Sequence, residues 1–238
     1  CKHTTTKNVT KITPASFNGD GCVQTSAVCT ACGYTKVISA AKIAKVSAPK
    51  LAKTVYTYNG KVQKPSVTVK DSKGKALKNG TDYTVSYPKG MKNVGKYTVK
   101  VTLKGNYSGS KSMTYNINPK GTSVSKVTAA KKGFKVTWKK QATQTTGYQV
   151  QYAENRSFKS AGSKTVSKNS TTSLKVNGKP IKKYYVRVRT YKKVGKTNYY
   201  SSWSKASSVT TKTGLSLNAY KITLFNGEGY KLKCTSTD

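Results

Sequence analysis

Short runs of alternating apolar and polar residues recur between residues 55 and 212, and they restrict the fold more than any other feature. They are rich in Val, Thr and Tyr, and the clearest are residues 67–70, 97–103, 136–138, 148–152 and 184–190. Period-two alternation of this composition indicates half-buried β-strands. Turn-forming pairs such as Asn59-Gly60 and Asn79-Gly80 separate the runs, and no long helix is predicted. The sequence therefore predicts an all-β chain of tandem antiparallel β-sandwiches.

Changes in composition divide the chain into four predicted blocks. Residues 1–45 hold four of the five Cys and the only His, and they form a small Cys/His module that precedes the sandwiches. Two strand-rich blocks follow at residues 46–119 and 120–212. Residues 213–238 contain two or three strand-like runs, which are too few to bury a core of their own. We expect this last block to be a partial domain of a chain that continues beyond Asp238.

The first strand-rich block contains five segments in a characteristic order, at residues 56–60, 64–71, 77–87, 93–95 and 105–109. Together they resemble a bacterial immunoglobulin-like repeat of Gram-positive surface proteins, and the resemblance implies an immunoglobulin-like sandwich. Asn59-Gly60 suits a tight hairpin turn. Asp82, one of few acidic residues, is expected to accept hydrogen bonds within a turn or at a cap.

The second strand-rich block contains Val136-Thr-Trp138, Tyr148-x-Val-x-Tyr152 and Tyr184-x-Val-x-Val-x-Thr190. With these motifs, residues 122–212 resemble a fibronectin type III domain. The resemblance implies that Tyr184 is the residue of a tyrosine corner. Gly178 stands where members of the family usually carry Leu. Trp138 and Trp203 are expected to pack within the sandwich, which needs large aromatic anchors.

The last block contains the runs 215–218, 222–224 and 230–234. It resembles the opening strands of a further bacterial immunoglobulin-like domain. Cys234 has no partner within this block, so the sequence leaves its state open.

The N-terminal block carries the one constellation with metal chemistry, Cys1-x-His3 followed by Cys29-x-x-Cys32-Gly33. A Cys-x-x-Cys turn offers two thiolates to one metal, and a Cys-x-His pair completes a tetrahedral set. The arrangement resembles small Cys/His modules that precede immunoglobulin-like repeats in secreted bacterial proteins. We predict a structural zinc site of Cys1, His3, Cys29 and Cys32, with Cys22 as an alternate ligand for Cys1 or His3.

Two other hypotheses for the module stay open. In an extracellular protein, Cys1, Cys22, Cys29 and Cys32 could form two disulfides, in any of three pairings. Cys1 could also be a lipidated N-terminus, as in mature bacterial lipoproteins. None of these hypotheses makes the module catalytic, because no general base lies nearby in the sequence.

The formal net charge is +39, from 45 Lys and Arg against 6 Asp and Glu. The excess positive charge is +5, +12, +21 and +1 in the four successive blocks, so the two strand-rich blocks carry most of it. With 1 His and 6 acidic residues, general acid–base catalysis has few candidate groups. We therefore predict that the chain is not an enzyme.

These features favour a spacer or adhesion segment of a secreted or cell-wall-associated Gram-positive protein, made of monomeric modules. Its basic faces could contact anionic polymers such as teichoic acids, host glycans or mucins. No apolar run approaches the roughly 20 residues of a membrane span. Outward lysines have a second explanation, since they also keep strand edges from pairing with neighbouring molecules.

Two alternative functions remain. Nucleic-acid binding would use the charge and the interleaved Tyr and Lys, although the sequence has no recognition helix or ribonucleoprotein motif. The chain could also supply accessory modules to a cell-wall hydrolase or protease whose catalytic domain lies outside it.

Overall fold

The computed structural model describes residues 1–213, 215–217 and 234–236. All regular elements in these ranges are β-strands, which confirms the all-β prediction, and no helix in this part of the chain is long and apolar enough to cross a membrane. The chain divides into two compact units, Cys1–Ile117 and Asn118–Asp238. The predicted boundaries between the four blocks stay predictions.

The first sheet is antiparallel and has the order β1–β2–β3, formed by Thr6–Thr13, Gly21–Cys29 and Thr35–Ile43. The only apolar residues of β1 are Val9 and Ile12, which lie on opposite faces of the strand, so neither face forms a continuous apolar surface. Every residue of β1 is exposed, and so is every residue of β3 except the last. This sheet therefore has little hydrophobic core of its own.

The connection between β1 and β2 anchors this sheet to the rest of the first unit. Ala15 is fully buried, its N–H donates to the Asn106 carbonyl at 3.0 Å, and its own carbonyl accepts from the Ser108 N–H at 2.8 Å. Phe17 packs against the core formed around Val101 and Leu103. A loop from the Cys/His block thus contributes to the core of the strand-rich block that follows it.

The rest of the first unit contains six strands, β4 to β9: Lys50–Leu51, Val55–Thr57, Val67–Thr68, Tyr83–Ser86, Gly95–Leu103 and Ser110–Asn118. A four-stranded sheet has the order β5–β9–β8–β7, while β4 pairs with β6. Along β8 the buried residues Val99, Val101 and Leu103 alternate with exposed Lys and Thr. This alternation produces one face for the core and one for solvent, as the sequence predicts.

Two predictions about turns in this block had different outcomes. The hairpin expected at Asn59-Gly60 is wrong, because β5 pairs with β9 and not with the following strand. The Asn59 side chain instead accepts from the Lys61 N–H at 2.9 Å, and Gly60 has φ 76°. The turn role of Asp82 is confirmed, because its carboxylate accepts from the Lys78 N–H at 2.8 Å.

The second unit contains eight strands up to residue 210, β10 to β17: Val124–Ala130, Gly133–Trp138, Gly147–Ala153, Gly162–Val166, Ser173–Asn177, Lys183–Val194, Thr197–Tyr200 and Ser207–Thr210. One sheet has the order β10–β11–β14. The other has the order β13–β12–β15–β16, with β17 also paired to β15. The core between the sheets contains Phe134, Val136, Trp138, Tyr148, Val150, Val176, Tyr184, Val186 and Val188.

The two tryptophans occupy different environments. Trp138 is buried in this core beside Tyr148, as expected. The expectation for Trp203 is wrong, because its ring stacks on the guanidinium groups of Arg187 and Arg189 instead of joining the core. These arginines alternate with buried Val186 and Val188, so they lie on the outer face of the sheet.

The tyrosine corner expected from the sequence is present. Tyr184 is buried, and its hydroxyl oxygen accepts from the Lys179 N–H at 3.0 Å. Gly178 packs against the same ring: a Cβ at this position would lie 2.8 Å from Cε2 of Tyr184. The small residue at position 178 therefore makes room for the tyrosine ring.

Of the partial domain predicted at residues 213–238, the structure describes β18 (Leu215–Leu217) and β19 (Cys234–Ser236), which pair antiparallel. The run predicted at 222–224 and the side chain of Cys234 lie outside the described part of the protein.

We predict that Gly178→Ala destabilises the second unit by about 1–3 kcal/mol, because the buried, hydrogen-bonded ring of Tyr184 has little room to retreat. Denaturant unfolding of the full chain measures this through tryptophan fluorescence, since both tryptophans lie in the second unit. Gly121→Ala is the control, because its added Cβ would meet its nearest neighbour, Oγ of Ser201, at an ordinary 3.7 Å. An equal loss of unfolding free energy in the two variants would contradict the close contact between Gly178 and Tyr184.

Candidate metal centre

Strand pairing brings the two halves of the Cys/His constellation together. Because β1 and β2 are antiparallel, Thr6 lies opposite Cys29, and the residues before β1 reach the turn after β2. The Thr30 N–H donates to the Thr5 carbonyl at 3.0 Å and fastens the chain there. A register of this kind cannot be deduced from the Cys spacing, since it depends on the turn that connects the strands.

The turn that carries Cys29 and Cys32 is closed by backbone hydrogen bonds. The Gly33 N–H donates to the Cys29 carbonyl at 2.9 Å, and the Cys29 N–H donates to the Tyr34 carbonyl at 2.8 Å. Gly33 has φ 73°, a left-handed conformation that favours glycine. The glycine after the Cys-x-x-Cys pair thus allows the reversal that the sequence predicts.

The structure brings together Cys1, His3, Cys29 and Cys32. Sγ of Cys1 lies 3.5 Å from Sγ of Cys29, and Nδ1 of His3 lies 3.3 Å from Sγ of Cys32. One ligand atom from each residue lies within 4.8 Å of all the others. A tetrahedral zinc ion with Zn–S bonds of about 2.3 Å separates two thiolates by about 3.8 Å. The cluster could therefore hold a metal, and the role of the four residues as ligands stays a prediction.

The alternate ligand, Cys22, lies away from this cluster. It is at the beginning of β2, opposite Thr13 and Lys42, whereas Cys29 ends the same strand. Seven residues of extended strand place the two cysteines roughly 20 Å apart. In this fold Cys22 cannot replace Cys1 or His3, and it cannot form a disulfide with Cys1, Cys29 or Cys32. The hypothesis of two disulfides among these four cysteines is therefore incompatible with the sheet.

The electrostatics of the cluster favour a thiolate. Cys29 is buried, and its pKa is lowered to about 7, mainly by a hydrogen bond with His3 and then by the backbone N–H groups of Ala31 and Cys32. Thiolates are the form in which cysteine binds metal. His3 is in turn stacked on Tyr34, with ring centroids 4.4 Å apart. Tyr34 has no role in the predicted ligand set, and its position directly after Gly33 is the sequence signal that could have pointed to it.

The donor set consists of three sulfur atoms and one imidazole. No carboxylate belongs to the cluster in the described part of the chain. A set with two or more thiolates is typical of structural metal sites, in which every coordination position is taken by protein.

Comparisons with known proteins bear on the second unit. Residues 118–208 match the family model of the fibronectin type III domain, which confirms the resemblance inferred for this block. A fibronectin type III domain is therefore present there. No curated protein matches the chain. A crystal structure of chicken CNTN1 FN1-FN3 domains is similar with a TM-score of 0.35 and 14% identity, over 81% of this chain and 78% of that one.

We predict that the metal-free, reduced protein has a thiol that ionises near pH 7, because His3 and the turn amides stabilise the Cys29 thiolate. An ultraviolet absorbance titration of thiolate formation measures it. Cys29→Ser should remove this step and Cys22→Ser should leave it, since Cys22 lies at the other end of β2. Identical curves for the wild type and Cys29→Ser would contradict the assignment.

Proposed function

We propose that this chain is a non-catalytic spacer and adhesion segment of a secreted or cell-wall-associated protein of a Gram-positive bacterium. The fibronectin type III domain at residues 118–208 supports this role, because such modules are typical of adhesion and spacer segments. The resemblance of residues 46–119 to a bacterial immunoglobulin-like repeat supports the cellular setting. The basic sheet faces of this segment contact anionic polymers of the cell envelope or the host.

The observation that carries this proposal is a pair of lysines on the outer face of the β10–β11–β14 sheet. Lys135 of β11 lies directly opposite Lys175 of β14, and both side chains are exposed. Lys126 of β10 lies opposite Thr137, which shares the face of Lys135. Like charges directly opposite each other destabilise a sheet. An anionic polymer across this face would convert the repulsion into attraction.

The carboxylates in the described part of the protein do not neutralise these lysines. The described residues contain four carboxylate side chains, Asp20, Asp71, Asp82 and Glu154. Asp20 pairs with Lys42 at 2.7 Å and Glu154 with Lys182 at 3.2 Å, and these lysines lower the pKa values of the two carboxyls. Asp71 and Asp82 accept backbone N–H groups in their turns. The positive faces therefore depend on ions or partners from outside this part of the chain.

We predict that the full chain is retained on immobilised teichoic acid or mucin in a salt-dependent manner. Replacing Lys135 and Lys175 by Gln should reduce the magnitude of the slope of log affinity against log salt concentration by about 1 per lysine. Each lysine that contacts the polymer displaces about one counterion from it, and the Gln variant does not. Thr137→Gln with Ser173→Gln is the matched control, since it alters the same face without a change of charge.

Two results would contradict this proposal. Equal, weak binding to teichoic acid, mucin and duplex DNA that disappears near about 0.15 M salt would leave the lysines with a solubility role only. Selective retention on DNA above that concentration would favour the nucleic-acid hypothesis instead.

We infer further that Cys1, His3, Cys29 and Cys32 hold a structural zinc ion. The support is energetic as well as geometric, because the exposed β1–β2–β3 sheet has little apolar surface to stabilise it. A small module without a core is commonly stabilised by metal, and the binding free energy then contributes directly to folding. Zinc would join the residues before β1 to the turn between β2 and β3, in addition to the hydrogen bond between Thr30 and Thr5.

We predict one zinc ion per chain in native mass spectrometry of the wild type and of Cys22→Ser, and none in Cys32→Ser. Removal of zinc by a chelator should abolish hydrogen-exchange protection of β1 to β3 and leave the β11–β15 region protected, because that domain has a separate core. A metal-free wild type with full protection of β1 to β3 would contradict the zinc assignment.

A further inference from the structure

A stack of alternating rings and guanidinium groups covers the outer face of the larger sheet in the second unit. Cζ of Arg187 lies 4.0 Å from the ring centroid of Phe158 and 4.8 Å from that of Trp203. Cζ of Arg189 lies 4.3 Å from the ring centroid of Trp203 and 4.0 Å from that of Tyr200. We call these five residues the arginine ladder.

Glutamines of the neighbouring strand hold both arginines in position. Nε of Arg187 donates to Oε1 of Gln151 at 2.8 Å, and Nε of Arg189 donates to Oε1 of Gln149 at the same distance. Each guanidinium has five N–H donors, so one bond from Nε leaves the donors on its two terminal nitrogens. The planes and directions of two half-buried cations are thus set before any ligand arrives.

No carboxylate among the described residues forms an ion pair with either arginine. Glu154, the only described carboxylate in the second unit, pairs with Lys179 and Lys182. A half-buried cation has lost part of its hydration, and a charged partner is the usual compensation. The arginine ladder therefore presents two oriented cations whose counter-charge does not come from this part of the protein.

The use of arginine instead of lysine at these two positions also supports an anionic ligand. Only three of the 45 basic residues are Arg, and two of these three lie in the ladder. Lysine provides a point charge, whereas the planar guanidinium can stack on rings and also bind an oxyanion through two parallel N–H bonds. A ladder that only clamped the chain near Trp203 would use the faces of the guanidinium groups and leave these N–H edges unused.

We propose that the arginine ladder is a binding site for a linear phosphodiester polymer of the poly(glycerol phosphate) type. Arg187 and Arg189 are two residues apart on one strand, so their Cα atoms are about 7 Å apart. This spacing suits successive phosphates of an extended polyol phosphate chain, each held bidentately by one guanidinium. The inference rests on the proposed contact with anionic polymers, and it assigns that contact to one face and one chemistry.

The decisive variant is Gln149→Glu with Gln151→Glu in the full chain. Each new carboxylate would keep the 2.8 Å bond to its arginine and neutralise its positive charge. The ladder should therefore stay folded but no longer bind the anionic polymer. The control is Ser72→Glu with Thr81→Glu, which makes the same change of charge at two exposed positions of the first unit, outside both the ladder and the sheet that carries Lys135. Isothermal titration calorimetry with poly(glycerol phosphate) should give an affinity at least about tenfold lower for the ladder variant than for the control.

A second variant, Arg187→Lys with Arg189→Lys, keeps the net charge and removes the planar donors. It should also weaken binding, with thermal unfolding recorded to separate loss of binding from loss of folding. Equal affinities in the ladder variant and its control would overturn the inference and leave the general contact with polyanions intact. Tighter binding of single-stranded DNA with the same dependence on the variants would overturn the choice of polymer. No binding of poly(glycerol phosphate), teichoic acid or mucin by the wild type would overturn the proposed function as well.

Discussion

Period-two alternation along the strands is the constraint on which the rest of this protein depends. In an antiparallel sandwich, each strand buries its apolar face in the core between the sheets. Its opposite face is exposed to solvent and must consist of residues that tolerate water. In β8 the buried side chains include Val99, Val101 and Leu103, and the outward positions between them are Lys and Thr. In β15 the buried residues Tyr184, Val186 and Val188 alternate with Tyr185 and Arg187 on the outer face. The core and the basic surface are therefore two consequences of the same pattern, and a chain of this design acquires a strongly charged exterior wherever Lys fills the outward positions.

The N-terminal sheet shows what happens where the apolar half of the pattern is weak. β1 and β3 expose nearly all their residues, so strand pairing alone must hold the sheet unless other links contribute. Two such links exist at opposite ends of β2. Ala15 and Phe17 join the sheet to the following core near the start of β2. At the other end of β2, the Cys/His cluster brings the residues before β1 close to the turn after Cys29. A loop inserted into a neighbouring core and the Cys/His cluster thus stabilise this sheet in place of a hydrophobic core of its own.

The sequence was sufficient to predict strands between residues 55 and 212, the tyrosine corner and the turn role of Asp82, because each depends on local composition or on one family motif. It did not predict β1 to β3, which lie in the block expected to be only a small Cys/His module. It was not sufficient where the outcome depends on register. Spacing alone could not separate Cys22 from Cys1, but the pairing of Thr6 with Cys29 does. Trp203 is expected to be a core anchor because a sandwich core needs large aromatic residues, whereas its neighbours in space are Arg187 and Arg189 on the outer face. The hairpin at Asn59-Gly60 failed for the same reason, since β5 pairs with a strand more than fifty residues away.

Lysine and arginine contribute differently to the properties of the surface. A lysine on a strand needs no partner, because its flexible, strongly hydrated ammonium group costs little when exposed. Such residues supply long-range attraction that falls with salt, and they discriminate poorly among polyanions. The ladder arginines differ, because stacking and the bonds to Gln149 and Gln151 have already restricted their side chains before binding. Less conformational entropy remains to be lost, so a given contact contributes more to affinity and depends more strongly on geometry. If the chain contacts anionic polymers as proposed, selectivity for one polymer over another should therefore reside in the two ladder arginines, and not in the far more numerous lysines.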